Sequence, residues 1–221
     1  MSEEEADIYA AALSPKQDVD VVIAYKGLKD YFAKLLPHHA FLKNEIWRIT
    51  KPNFQKRALS PGRRFIALHV RRGDQILPHQ SEHEVAKHPQ CTPLNWFVVT
   101  IRKIRAVPSC DDIPIIVFTD GTPAQIAPLM QEKNVFMAPS DVAIVDLLKM
   151  SRSSMLLASG YSTFSMWASF LGGMPTVYAP GKIQQYVQSG RPRSIEIELG
   201  ENEKLPKEAL RCCLAAVEIS E

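Results

Sequence analysis

FIALHVRRGDQ, residues 65–75, is an apolar run of strand length that breaks off into two arginines, a glycine and an aspartate. A strand that is apolar throughout, and not only at every second position, is covered on both faces. The chain beyond it repeats the pattern. IPIIVFTD (113–120), NVFM (134–137), SMLLAS (154–159) and PTVYAP (175–180) read as further strands. Between them, residues 92–107, 122–133, 140–152 and 162–173 carry helical periodicity, the first two opening on a Thr-Pro cap signal at Thr92 and Thr122. Five strands joined by four helical crossovers predict a Rossmann-like α/β domain, a parallel sheet with helices on both faces, over about residues 63–180. A closing helix is expected near 206–218.

Upstream, residues 1–20 read as a loose arm or short helix, 21–36 as a short strand and helix, and KPNFQKRALSPGR (51–63) as a connector. The expected division is therefore an N-terminal arm over 1–60 and the Rossmann-like domain over 61–221. A net charge of only +2 supplies no basic field for nucleic acid. No apolar run reaches the roughly 20 residues of a membrane span. The acidic start, MSEEEADIYAAALSP, lacks the order of a secretion signal, which predicts a cytoplasmic protein. The cysteines at 91, 110, 212 and 213 fit neither a disulfide framework nor a zinc knuckle, and read as reduced thiols. An adhesive Arg72-Gly73-Asp74 needs an extracellular address, which none of these features supplies.

In a parallel sheet the informative residues follow the strands, because ligands bind outside the carboxyl ends. His69 and Arg71 share one side of the strand while Arg72 takes the other, followed by Asp74. An arginine fork beside a glycine turn suits a diphosphate. The same residues also read as a helix-capping arginine, an Arg–Asp74 pair and a strand-end histidine. Ser162, Thr163, Phe164 and Ser165 open a helix after Gly160, where free amides and hydroxyls suit a phosphate or simply cap the helix. Asp146 is placed either to accept from two ring N–H donors of guanine or to face solvent. Asp120 is a possible substrate-hydroxyl ligand or the start of a tight turn with Gly121. His79 and His83 have zinc spacing, but prolines 78 and 89 bracket them as a loop. There is no GxGxxG, P-loop or nucleophile elbow.

HVRRGD (69–74) resembles the H-x-R-x-G-D motif of the fucosyltransferase superfamily, best in its α-1,2-type bacterial members. CTPLNWFVVTIRKI, IIVFTDG and DLLKMSRSSMLLASGYSTFSMWASFLGGMP resemble the segments that follow in that family, in the same order over about residues 60–180. The resemblance implies the C-terminal half of a GT-B glycosyltransferase: an inverting, metal- and cofactor-independent enzyme that carries fucose from GDP-fucose to a glycan hydroxyl. It implies that Arg71 holds the β-phosphate and stabilises departing GDP, that His69 contacts the nucleotide, and that Asp146 pairs with guanine. Ser162, Thr163, Phe164 and Ser165 would line the diphosphate, and Arg72 and Asp74 complete the motif. Only about 60 residues precede the first strand. The alternative is therefore a non-catalytic GDP-sugar-binding module, or a half-enzyme completed by a partner chain or a second copy.

Overall fold

Strand β1 (Ile66–Val70) is buried along its length, and its alternating side chains divide the interior in two. Ile66, Leu68 and Val70 enter one apolar cluster with Phe97, Ile101, Ile115 and Val117. Ala67 enters another with Phe118, Met150, Leu156 and Ala168. The computed structural model describes residues 32–60, 62, 64–72, 91–191 and 194–214. The expected strand and helix at 21–36 therefore lie mostly outside the described residues, as do Asp74, His79 and His83.

Around β1 stand β2 (Ile115–Thr119), β3 (Val135–Met137), β4 (Met155–Leu157), β5 (Thr176–Tyr178) and β6 (Glu196–Glu198). All pair in parallel, in the order β3-β2-β1-β4-β5-β6. The chain winds outward from β1 to β3, then returns to place β4 on the other side of β1. That reversal opens a crevice between the carboxyl ends of β1 and β4, the switch point where doubly wound sheets bind ligands. The expected five-stranded sheet thus gains a sixth member. β6 escapes the apolar pattern because Glu196 and Glu198 alternate with Ile195 and Ile197. The isoleucines pack on the core. The carboxylates accept hydrogen bonds: Glu196 from Ser169 Oγ (3.0 Å) and Gln188 N (2.7 Å), Glu198 from the amides of Lys182 and Ile183 (2.9 and 3.0 Å).

The upstream helices are α1 (His39–Ile49) and α2 (Pro52–Ala58); the crossovers carry α3 (Leu94–Arg105), α4 (Ala127–Met130), α5 (Ala143–Met150) and α6 (Thr163–Gly172), and α7 (Lys207–Leu214) follows β6. The connector expected over 51–63 instead contains α2. Pro52 sits in its first turn, where a missing N–H costs nothing, and Ala58 packs against Val145 and Leu148 of α5. Thr122 caps the turn before α4 as expected, through a reciprocal box with Gln125. Thr92 does not cap α3; Pro93 occupies that position, and buried Thr92 Oγ1 accepts the Gly160 amide at 2.9 Å. Cys91 and Cys110 are buried. Among the described residues no helix is long and apolar enough to cross a membrane.

Candidate functional site

The crevice between β1 and β4 is first a matter of backbone register. Ser159 Oγ accepts the Arg71 amide at 3.0 Å and donates to the His69 carbonyl at 2.9 Å, so one hydroxyl fastens the two strand ends together. On the far side of β1, Asp120 Oδ1 accepts the Arg72 amide at 2.6 Å. Gly121 allows this turn: a Cβ there would lie 2.7 Å from Arg72 Cβ. Gly160 is needed for a similar reason, since its missing Cβ would meet Lys182 Cβ at 2.4 Å.

The resulting cleft has a volume of about 440 Å³, within the usual range of about 300–1,000 Å³ for small-molecule sites. His69, Arg71, Asp120, Asp146, Ser162, Thr163 and Phe164 all line it. A larger recess of about 940 Å³ beside Lys43, Trp47 and Arg152 holds none of these residues. Two of the expected site residues turn elsewhere. The Arg72 side chain is buried at 1% exposure beside Gly121, opposite Arg71 as the strand alternation predicts. Ser165 is fully buried and shares a 2.7 Å hydrogen bond with His69 Nδ1, so it holds the imidazole instead of lining the cleft.

His69 lies on the side of β1 that carries Ala67, with its ring 5.4 Å from that of Phe164. Burial pushes its pKa down to about 4; Asp120 opposes that shift and Arg71 reinforces it. The imidazole is therefore neutral at pH 7. Its Nδ1 is engaged by Ser165, which leaves Nε2 for the cleft. Ser162 caps α6 and accepts the Ser165 amide at 3.4 Å, so the positive end of the α6 dipole opens on the same space.

At the other end of the cleft, Asp146 stands in the first turn of α5. Its Oδ1 is buried without a hydrogen-bond partner among the described residues. Burial raises its pKa to about 6, with Asp141 adding to the shift and Lys149 and Arg57 opposing it. An orphaned carboxylate oxygen costs free energy unless a donor reaches it, and a ligand in the cleft can supply one. Asp141 lines the same wall; its one local signal in the sequence is a Ser-Asp pair just before an apolar helix. Phe118, Thr119 and Ala143 complete the lining. Among the described residues no three histidine, cysteine or carboxylate side chains are grouped to hold a metal ion.

Residues 23–190 match the family model of Glycosyl transferase family 11. No curated protein matches the chain. Among solved structures it is similar to NodZ alpha-1,6-fucosyltransferase soaked with GDP-fucose and to fucosyltransferase NodZ from Bradyrhizobium. Each is 19% identical with a TM-score of 0.42, over 59% of this chain and 45% of that one. It is also similar to POFUT1 in complex with GDP, at 16% identity and a TM-score of 0.41, over 58% of this chain and 46% of the other. The chain thus spans less than half the length of these structures. The family match, by contrast, runs across both motif-bearing strand ends and most of the sheet, and by it the chain belongs to glycosyl transferase family 11, within the fucosyltransferase superfamily that HVRRGD resembles.

Proposed function

We propose that this chain binds GDP-fucose in the β1–β4 cleft and transfers its fucose to a glycan hydroxyl, with inversion, without metal or cofactor, and with α-1,2-type specificity. The observation that carries the reading is convergence. An arginine turn, a helix amino end and an unsatisfied buried carboxylate oxygen meet in one cleft at the switch point of the sheet. The two ends of that cleft match the two ends of a guanosine diphosphate. Asp146 accepts from the two N–H donors on the guanine edge. Arg71 makes the fork contact with the β-phosphate, beside the Thr163 hydroxyl and the first-turn amides of α6. His69, oriented by Ser165, contacts the nucleotide as a neutral ring, while Ser162 caps the helix that faces the diphosphate. Arg72 and Asp74 complete the motif as supports of its loop.

In the reaction the acceptor oxygen bonds to the anomeric carbon of fucose as the bond from that carbon to the β-phosphate oxygen breaks. GDP carries off the bonding pair, and the hydroxyl proton is released. The charge that builds on the departing phosphate falls between Arg71 and the α6 amino end. Fixed dipoles and cations so placed act where charge develops, commonly the largest contribution to catalysis.

The second reading is a GDP-sugar-binding module, or a half-enzyme completed by a partner chain or a second copy. The first test is a calorimetric titration with GDP, UDP and ADP in metal-free buffer. GDP-selective binding is expected, and Arg71→Ala should weaken it by about a hundredfold or more, as removal of one charged phosphate ligand does. Equal affinity for the three nucleotides would sink the reading. Turnover of GDP-fucose, including slow hydrolysis, then separates the enzyme from the module.

A further inference from the structure

Asp141 and Asp146 both line the cleft, yet their surroundings differ. Asp146 has an unpartnered oxygen, whereas Asp141 is saturated. Asp141 Oδ1 accepts the Val142 amide at 2.7 Å and a bond from Arg57 Nη2. Its Oδ2 accepts from Arg57 Nε at 3.2 Å and Lys149 Nζ at 3.3 Å. Lys149 belongs to α5 itself and keeps its place relative to Asp146. Arg57 comes from α2, a separate element ahead of the sheet, and its side chain is 45% exposed. The charged groups facing Asp146 are thus Lys149 on its own helix, Asp141 at the entry to α5 and Arg57 on α2. His69, Arg71 and Asp120 share the cleft from the ends of β1 and β2.

We propose that Arg57 is a positioning residue for nucleobase recognition: docked on Asp141, it holds Asp146 as the carboxylate that accepts two N–H donors of guanine. The proposal rests on the GDP reading above. An ionised carboxylate accepts through both oxygens, whereas a protonated one converts an acceptor into a donor and faces a guanine N–H with an O–H. Burial and the negative charge of Asp141 favour the protonated form of Asp146; the cations on Lys149 and Arg57 oppose it. Removing Arg57 leaves Asp141 less compensated and drives Asp146 toward protonation. Removing the charge of Asp141 does the reverse. The seating of α2, remote in sequence from the cleft, thereby governs affinity at its base end.

The test compares the native chain with Arg57→Gln and Asp141→Asn. Two quantities are measured: the Asp146 carboxyl titration by carbon NMR in the ligand-free protein, and GDP affinity against pH by calorimetry. Arg57→Gln should raise the Asp146 midpoint by about half a unit to one unit, and Asp141→Asn should lower it, as a single screened charge does. At pH 5.5 GDP should bind Arg57→Gln about three- to tenfold more weakly than the native chain, with the two converging at pH 8. A purely structural role for Arg57 predicts losses that are equal at both pH values and midpoints that do not part in opposite directions. Coincident midpoints in the three proteins would overturn the proposal while leaving GDP binding intact. A native chain that binds no GDP at any pH would overturn the function proposed above, and the three carboxyl titrations would still decide whether Arg57 governs Asp146.

Discussion

The two sides of β1 differ in kind. On one, Ile66, Leu68 and Val70 join an apolar cluster with Phe97 and Ile101 of α3. On the other, Ala67 is followed by His69, and the packing ends in a hydrogen bond between the imidazole and Ser165 of α6. A single strand therefore anchors the sheet with its even-numbered residues and begins the site with its odd-numbered ones. Strand alternation makes this possible: next to one another in sequence, Val70 seals the core while His69 and Arg71 reach the cleft.

The sharpest way to break the comparison is Leu68→Ala. It should cost about 2–5 kcal/mol of stability, as large-to-small changes in a closed core do, with GDP affinity per folded molecule unchanged. Parallel denaturation and calorimetry would check this; a fall in affinity as large as the fall in stability would mean that the two sides are not separable.

A smaller effect sharpens the same contrast. The folded His69 pKa of about 4 lies below its ordinary value of 6.5, so the unfolded chain takes up a proton that the folded chain refuses. Stability is unaffected by this group above pH 6.5 and declines as pH falls from 6.5 toward 4, by an order-of-magnitude 2–3 kcal/mol. His69→Asn should remove that slope from the urea midpoint. Identical slopes in the two proteins would contradict the burial argument.

Asp146 works in the opposite sense. Its folded pKa of about 6 lies above the usual 3.8, so its burial is destabilising above pH 6 and relieved as pH falls toward 4. Asp146→Asn should be more stable than the native chain at pH 7–8 by about 1 kcal/mol, allowing for its half-buried position. That gap should close on acidification, while guanine selectivity is lost at every pH. Thermal melts across pH 4–8 measure the first, and nucleotide titrations the second. Because the His69 and Asp146 slopes oppose each other, the native profile alone distinguishes neither.

Much of this arrangement is legible in the chain because it rests on short-range rules. β1 to β5 are continuous apolar runs, and Ser162 and Thr122 are side-chain caps whose partners lie three residues away. What escapes notice depends on distant partners. β6 reads as polar because its glutamates serve the amides of a loop that has no counterpart in the local pattern. Thr92 carries a cap signal but answers to Gly160, 68 residues later. Ser165 reads as a phosphate ligand until its buried bond to His69 is seen. The cleft residues are legible from their positions after strands and from the family resemblance. Asp141 depends on Arg57, 84 residues upstream, and neither position alone hints at the pairing.

Ser159, held between the Arg71 amide and the His69 carbonyl, sets the spacing of the arginine turn from the neighbouring strand end before any ligand arrives. Ordering a flexible residue costs about 1–2 kcal/mol, and that cost has already been met during folding for the backbone at this junction. The thermodynamic signature of a nucleotide at this end of the cleft should accordingly carry only a small entropic penalty. Ser159→Ala, which touches no ligand in this scheme, would return the penalty to the binding step.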